Sequence, residues 1–131
     1  MRKDISIPQV KNVYMAALYQ YNEAHRTHDW NIIMINSGAE PLEQVLIVSR
    51  GQHQEQRTSI LRHQIKLLPA HAFAKAEFLI EAVLALDNEF LATWFIGNTL
   101  YEKTFRFPAG TIKKENLKPL AVLDQQGILA D

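Results

Sequence analysis

Residues 90–107 read Phe90-Leu-Ala-Thr-Trp-Phe-Ile-Gly-Asn-Thr-Leu-Tyr-Glu-Lys-Thr-Phe-Arg-Phe107. Two runs rich in aromatic and β-branched residues flank Gly97-Asn98, a pair that accepts the positive φ of a two-residue hairpin loop. Pairing outward from this turn predicts four cross-strand pairs: Ile96 with Thr99, Trp94 with Tyr101, Ala92 with Lys103, and Phe90 with Phe105. The large rings then share one face, which must be buried. The segment therefore predicts an antiparallel β domain.

The length and composition of the chain fit a single domain. A chain of 131 residues buries roughly two-thirds of the surface that it exposes when unfolded, so it needs no covalent staple. The chain has no cysteine, which excludes disulfides, thiolate metal sites and cysteine nucleophiles. Fourteen basic residues balance fourteen acidic ones, so no net charge draws the molecule to polyanions or to an anionic membrane.

The N-terminal sequence bears on where the protein works. Met1-Arg-Lys-Asp-Ile-Ser-Ile-Pro8 lacks the apolar core of a signal peptide. No apolar run approaches the roughly eighteen residues that a membrane-spanning helix requires. We therefore expect a cytoplasmic protein with no membrane partner.

Five further runs have the composition of strands: residues 13–21, 30–35, 42–49, 57–68 and 72–79. Within the third, Val45-Leu-Ile-Val48 has the branched content of a strand buried on both faces. Gly51–Gln56 is polar and is predicted to be a loop. Residues 74–86 have high helix propensity, yet a long helix would be isolated among strands, so we predict a strand to Leu79 and at most a helical turn after it.

Together with the hairpin, these runs make about seven short strands separated by turn-forming residues. We therefore predict an all-β fold over residues 1–131, an immunoglobulin-like antiparallel β-sandwich of about seven strands with at most short helical turns. Residues 111–131 are predicted to form a C-terminal tail that packs on the domain or on a partner. The tail contains one potential helical turn over residues 113–118 and five apolar residues that suit such packing: Leu120, Val122, Leu123, Ile128 and Leu129.

Two segments carry a resemblance to bacterial immunoglobulin-like modules. Residues 30–45 resemble their turn between the second and third strands, and residues 67–78 resemble their mid-domain crossover. The antibody-type cysteine pair around a tryptophan is missing, so the resemblance is one of general pattern.

The chain also resembles, over nearly its whole length, a group of small uncharacterised bacterial single-domain proteins. The segments that carry this resemblance are residues 30–36, 42–51, 58–63 and 88–95. Some of those proteins are labelled phenylalanyl-tRNA synthetase α-subunit. This sequence has neither the arginine-bearing motifs nor the glycine-rich motif of a class II synthetase core, so we interpret the label as wrong. The resemblance implies no activity.

A locally basic segment is one candidate for a binding site. Across residues 50–66 a single acid, Glu55, accompanies four basic residues: Arg50, Arg57, Arg62 and Lys66. Guanidinium groups bind phosphates and carboxylates well. On a strand, Arg62 and Lys66 would project from one face and His63 from the other. The pattern predicts either contact with an anion or nucleic acid, or an edge strand whose charges prevent further strand pairing.

Residues 25–29 are the candidate for a metal site. His25, His28 and Asp29 offer ligand types that zinc accepts, but zinc needs three or four ligands that converge. A solvated polar loop explains the same residues. No serine lies in a Gly-x-Ser-x-Gly motif, and we assign no catalytic residue and no cofactor.

The sequence therefore favours a non-enzymatic interaction module. We expect it to act by self-association, as a homo-oligomer, or by binding another protein through an exposed sheet edge or the apolar tail. Contact with an anion or nucleic acid through residues 50–66 is the first alternative. A metal-dependent enzyme that uses His25, His28 and Asp29 is the second.

Overall fold

The computed structural model describes residues 9–131, and residues 1–8, on which the expectation about a signal peptide rests, lie outside them. The described residues form an all-β sandwich of two antiparallel sheets, which confirms the predicted fold class. The strands are β1 (Val13–Asn22), β2 (Thr27–Asn36), β3 (Leu42–His53), β4 (Gln56–Arg57), β5 (Leu61–Leu68), β6 (Ala72–Leu79), β7 (Asp87–Ile96), β8 (Thr99–Phe107), β9 (Lys118–Leu120) and β10 (Leu123–Leu129). Two short 3₁₀ turns, Glu81–Val83 and Lys114–Asn116, are the helical segments of these residues.

The strand orders of the two sheets place β5 and β6 at sheet edges. The first sheet has the strand order β6-β2-β1-β10-β9. In the second sheet, β3 lies between β7 on one side and both β4 and β5 on the other, and β8 follows β7. The chain passes from β5 to β6 through residues 69–71, so the edges β5 and β6 of the two sheets lie on the same side of the sandwich. We call this side the open side.

The β7–β8 hairpin has the predicted register. All four predicted pairs are present, and Phe90, Trp94 and Phe105 are buried in the core between the sheets. Gly97 has a φ of 60°. Asn98 does not adopt a positive φ, so the loop follows the pattern of a type II′ turn, which requires glycine only at its first central position.

The described residues form ten strands, three more than predicted. The additional strands are β4, β9 and β10. The predicted loop Gly51–Gln56 was wrong, because β3 continues to His53 and then pairs with β4. The strand predicted over residues 57–68 is interrupted at 58–60 and supplies β4 and β5. These pairs join polar residues, such as the exposed His53 and Gln56, so no apolar alternation marks them in the sequence.

Burial on both faces occurs on β1 and β2 rather than on β3. Alternate residues of β1 and β2 enter the core between the sheets, while a second cluster lies on the opposite face: Ala16, Leu18, Ile33 and Ile35. On β3, Leu46 and Val48 are only partly buried. The apolar run of β2 therefore has the double burial that the sequence suggested for Val45–Val48.

Residues 111–131 belong to the first sheet. β10 pairs with β1, and Ile128 packs against the main core. Three apolar residues of the same segment pack against the second cluster: Leu120, Val122 and Leu123. Gly127 makes this approach possible, because a Cβ there would lie 2.8 Å from side-chain atoms of both Leu18 and Leu120. Within residues 9–131, no helix is long and apolar enough to cross a membrane.

Candidate functional site

A β-bulge in β6 changes which of its side chains face the interior. Ile33 of β2 pairs with Lys75, and the next residue, Ile32, pairs with Glu77, so Ala76 is the extra residue. Side chains of directly paired residues lie on the same face of a sheet. Glu77 therefore points to the interior side with Ile32, and Phe78 lies on the outer face with 46% of its surface exposed.

Glu77 forms a polar cluster with two residues of the other sheet. Its Oε1 accepts a hydrogen bond from Ser49 Oγ of β3 and lies 2.8 Å from His63 Nε2 of β5. Ser49 is buried, and the Glu77 side chain is 12% exposed. The cluster links the two sheets at the open side.

The order of these groups differs from that of a serine hydrolase. In the hydrolase triad the histidine stands between the serine and the acid and removes the proton from the hydroxyl. Here the carboxylate of Glu77 stands between Ser49 and His63, and both the hydroxyl and the imidazole bond to its Oε1. The cluster offers a charged hydrogen-bond acceptor rather than an activated nucleophile.

A cleft of about 310 Å³ opens beside the cluster. Ser49 and Glu77 contribute to its polar wall together with Arg50, Thr58, Ser59 and Asn88, and the apolar residues that line it are Leu61, Phe78, Leu79, Ile80 and Val83. Three of these, Leu61, Phe78 and Ile80, are 46–55% exposed. We call Leu61, Phe78 and Ile80 the open-side patch. The open side thus combines exposed apolar surface with one largely buried carboxylate.

The predicted basic residues lie on the outer face of the second sheet. Arg57 is opposite Gln52 and Arg62 is opposite Val48, which places both beside Arg50 of β3. Lys66 is four residues along β5 from Arg62, about 13 Å at the usual rise of a strand. The structure therefore brings three of the four together and leaves Lys66 apart.

A fourth arginine, from β8, joins this group. Glu89 of β7 pairs with Arg50 on one side and with Arg106 on the other. Its carboxylate oxygens lie 3.3 Å from Arg50 Nη2 and 3.2 Å from Arg106 Nε. We call Arg50, Arg57, Arg62 and Arg106 the arginine face. Sequence proximity could not reveal Arg106, because the pairing of distant strands places it there.

A wider depression of about 740 Å³ lies on the same sheet, where β3 has a bulge and Gln44 has a φ of 48°. Glu43 and Lys66 both line it. Its charges are of opposite sign and both residues are exposed. The depression therefore offers less selectivity than the cleft beside Glu77, where a single carboxylate is largely removed from water.

The candidate metal ligands do not converge. The His28 ring stacks on Tyr19 with a centroid separation of 5.0 Å, and Asp29 accepts hydrogen bonds from Asn22 and Thr27. In the part of the chain that the structure describes, no group of three histidine, aspartate or glutamate side chains is placed to hold a metal ion.

Comparison of the chain with protein-family models, with curated proteins and with solved structures finds no match. The site is therefore defined by its own geometry. The sequence gives no reason to pair Ser49 with His63 or to single out Glu77. The local sequence carries no sign of the bulge that brings Glu77 to them.

Proposed function

We propose that this protein is a non-enzymatic interaction module that acts by self-association or by binding another protein. The open-side patch is the observation that supports the proposal. Three large apolar side chains, each about half exposed, line the cleft at one side of the sandwich. A contiguous apolar patch of this kind on a small domain is typical of a protein interaction site.

Edge strands on both sides of the sandwich carry features that oppose association by strand pairing. β9 has three residues and contains Pro119. In β8, Lys103 pairs with the core residue Ala92, and Arg106 exchanges two backbone hydrogen bonds with Asp131. β5 presents Arg62, in keeping with the expectation of a charged edge. Short strands, proline, inward-facing lysine and edge charges all discourage strand addition.

The contact that we propose is made by side chains rather than by strand pairing. The bulge at Ala76 interrupts the regular edge of β6, which hinders the addition of a further strand. The tail is a poorer interface, because β10 already pairs with β1 inside the first sheet. We therefore assign the interface to the open-side patch, with a homo-oligomer as the first form to test.

Serine substitutions in the patch test the proposal by native mass spectrometry and sedimentation. Phe78→Ser and Ile80→Ser should each weaken assembly at least tenfold, because burial of one such side chain contributes about 1.5–3 kcal/mol. Leu100→Ser is the matched control, since Leu100 is equally exposed but lies on β8. Equal effects at Leu100 and in the patch would contradict the assignment. A monomeric wild type at high concentration would exclude self-association and leave binding to another protein.

The arginine face supports a second candidate function, contact with an anion or a nucleic acid. Four arginines lie there with Glu89, which bonds to two of them, and with Asp87, which is opposite Gln52. Binding of single-stranded DNA should weaken steeply with added salt, because it would release counterions. Arg62→Gln should weaken binding, whereas Lys66→Gln, about 13 Å away along the strand, should leave it nearly unchanged. Absence of binding even at low salt would exclude this function.

We further propose a cytoplasmic location, which the absence of cysteine supports. The two-sheet antiparallel architecture is compatible with the immunoglobulin-like pattern. The metal-dependent alternative receives no support from the positions of His25, His28 and Asp29.

A further inference from the structure

We propose that the cleft beside Glu77 receives a lysine or arginine side chain of the protein partner. The inference rests on the proposed function, because it names the chemistry by which a partner would be recognised at the open side. Three properties of the cleft lead to it: the inward carboxylate of Glu77, the lack of a lysine or arginine paired with it among the described residues, and the size and apolar character of the cleft walls.

The inward carboxylate exists only because of the bulge. With regular alternation after Lys75, Glu77 would face solvent and Phe78 would face the core. The bulge at Ala76 exchanges them, so a carboxylate is largely buried and an aromatic ring is left half exposed. Both changes oppose folding, since burial of a charge and exposure of apolar surface are unfavourable. Bulges that re-aim side chains in this way are common beside functional sites.

The charge of Glu77 is only partly compensated inside the protein. Ser49 and His63 both contact Oε1, which leaves Oε2 outside these two contacts. Among the described residues, no lysine or arginine forms an ion pair with Glu77. Arg50 lines the cleft, but its guanidinium group bonds to Glu89. A ligand cation would supply the missing charge.

The walls of the cleft match the stem of a basic side chain. A volume of about 310 Å³ is at the lower end of ligand pockets, which suits one side chain rather than a large cofactor. Leu61, Leu79 and Val83 supply apolar surface along which the methylene groups of lysine or arginine can lie. An anion would be repelled by Glu77, and a purely apolar group would leave the carboxylate without a partner.

Capped amino acids test the inference without a known partner. Nα-acetyl-arginine methylamide and Nα-acetyl-lysine methylamide are titrated into ¹⁵N-labelled protein, and amide shifts are followed by NMR. Saturable shifts are expected at Leu61, Glu77 and Ile80. The capped citrulline derivative has the shape of arginine without its charge, and it should bind about tenfold more weakly, because charge-assisted hydrogen bonds are the stronger ones.

Two variants locate the interaction. Glu77→Gln should weaken binding of the capped arginine about tenfold, whereas Glu102→Gln, an exposed acid on β8, should not change it. Should Glu77→Gln fail to fold, the wild-type comparison of arginine with citrulline still decides. Absence of saturable shifts, or equal binding of arginine and citrulline, overturns the inference. If the protein assembles but does not bind arginine, the inference about the cleft is overturned and the proposed self-association stands. If it binds arginine but stays monomeric, self-association is overturned and the inference about the cleft stands.

Discussion

At Gly97 the chain reverses direction with a φ of 60°, while Asn98 keeps a negative φ. Glycine adopts this conformation without the steric penalty that a Cβ imposes. Open space surrounds the position, since a Cβ would meet no atom within 4 Å. The requirement for glycine at Gly97 is therefore one of backbone conformation and not of packing.

Alanine substitutions separate the two turn residues. Gly97→Ala should lower the free energy of unfolding by about 1–2 kcal/mol, because a non-glycine residue is forced into the left-handed region. Asn98→Ala should change it by less than about 0.5 kcal/mol, as is usual for exposed positions. Urea denaturation followed by tryptophan fluorescence measures both. A loss at Asn98 as large as that at Gly97 would contradict the type II′ assignment.

Among the elements, the β7–β8 hairpin and strand β6 show what local sequence can predict. In the hairpin, one glycine turn and alternating aromatic residues specify the register, and all four predicted pairs occur. In β6 the bounds Ala72–Leu79 were predicted correctly, but no local pattern indicates the bulge that changes the faces of the residues after Lys75. The bulge depends on pairing with β2, about forty residues earlier in the chain, and on the partners that Glu77 finds on β3 and β5.

In the candidate sites, too, some neighbours are close in sequence and others are brought together only by the pairing of distant strands. Arg50, Arg57 and Arg62 are close in sequence, and the hairpin-like pairing of β3 with β4 and β5 brings them together. Arg106 and Glu89 join them through β7 and β8, which no spacing in the sequence indicates. The members of the Ser49–His63–Glu77 cluster come from three strands and both sheets, so the cluster could not be predicted from any one segment.

At the scale of the whole molecule, residues 111–131 complete the first sheet. β10 pairs with β1, and Ile128 contributes to the core. Beyond the strand, Ala130 donates a backbone hydrogen bond to Met15, and Asp131 exchanges two with Arg106 of the second sheet. The segment thus ties both sheets together.

Removal of residues 111–131 should abolish cooperative unfolding, because β1 would become an edge strand with apolar side chains on both faces. Removal of residues 130–131 alone is the control, because it keeps β10 in the sheet. It deletes three backbone hydrogen bonds and should lower the free energy of unfolding by roughly 1–4 kcal/mol. Circular dichroism and urea denaturation measure both. An unchanged urea midpoint in the longer truncation would contradict this role of the segment.

The sequence by itself determined the fold class, most strand positions, the hairpin register and the burial of Phe90, Trp94 and Phe105, because alternation and turn chemistry act over a few residues. Only the tertiary structure decided the place of β10 beside β1, the double burial of β1 and β2, and the inward direction of Glu77. These depend on which distant strands pair and in what register. That choice is made by the packing free energy of the whole sandwich rather than by local preference.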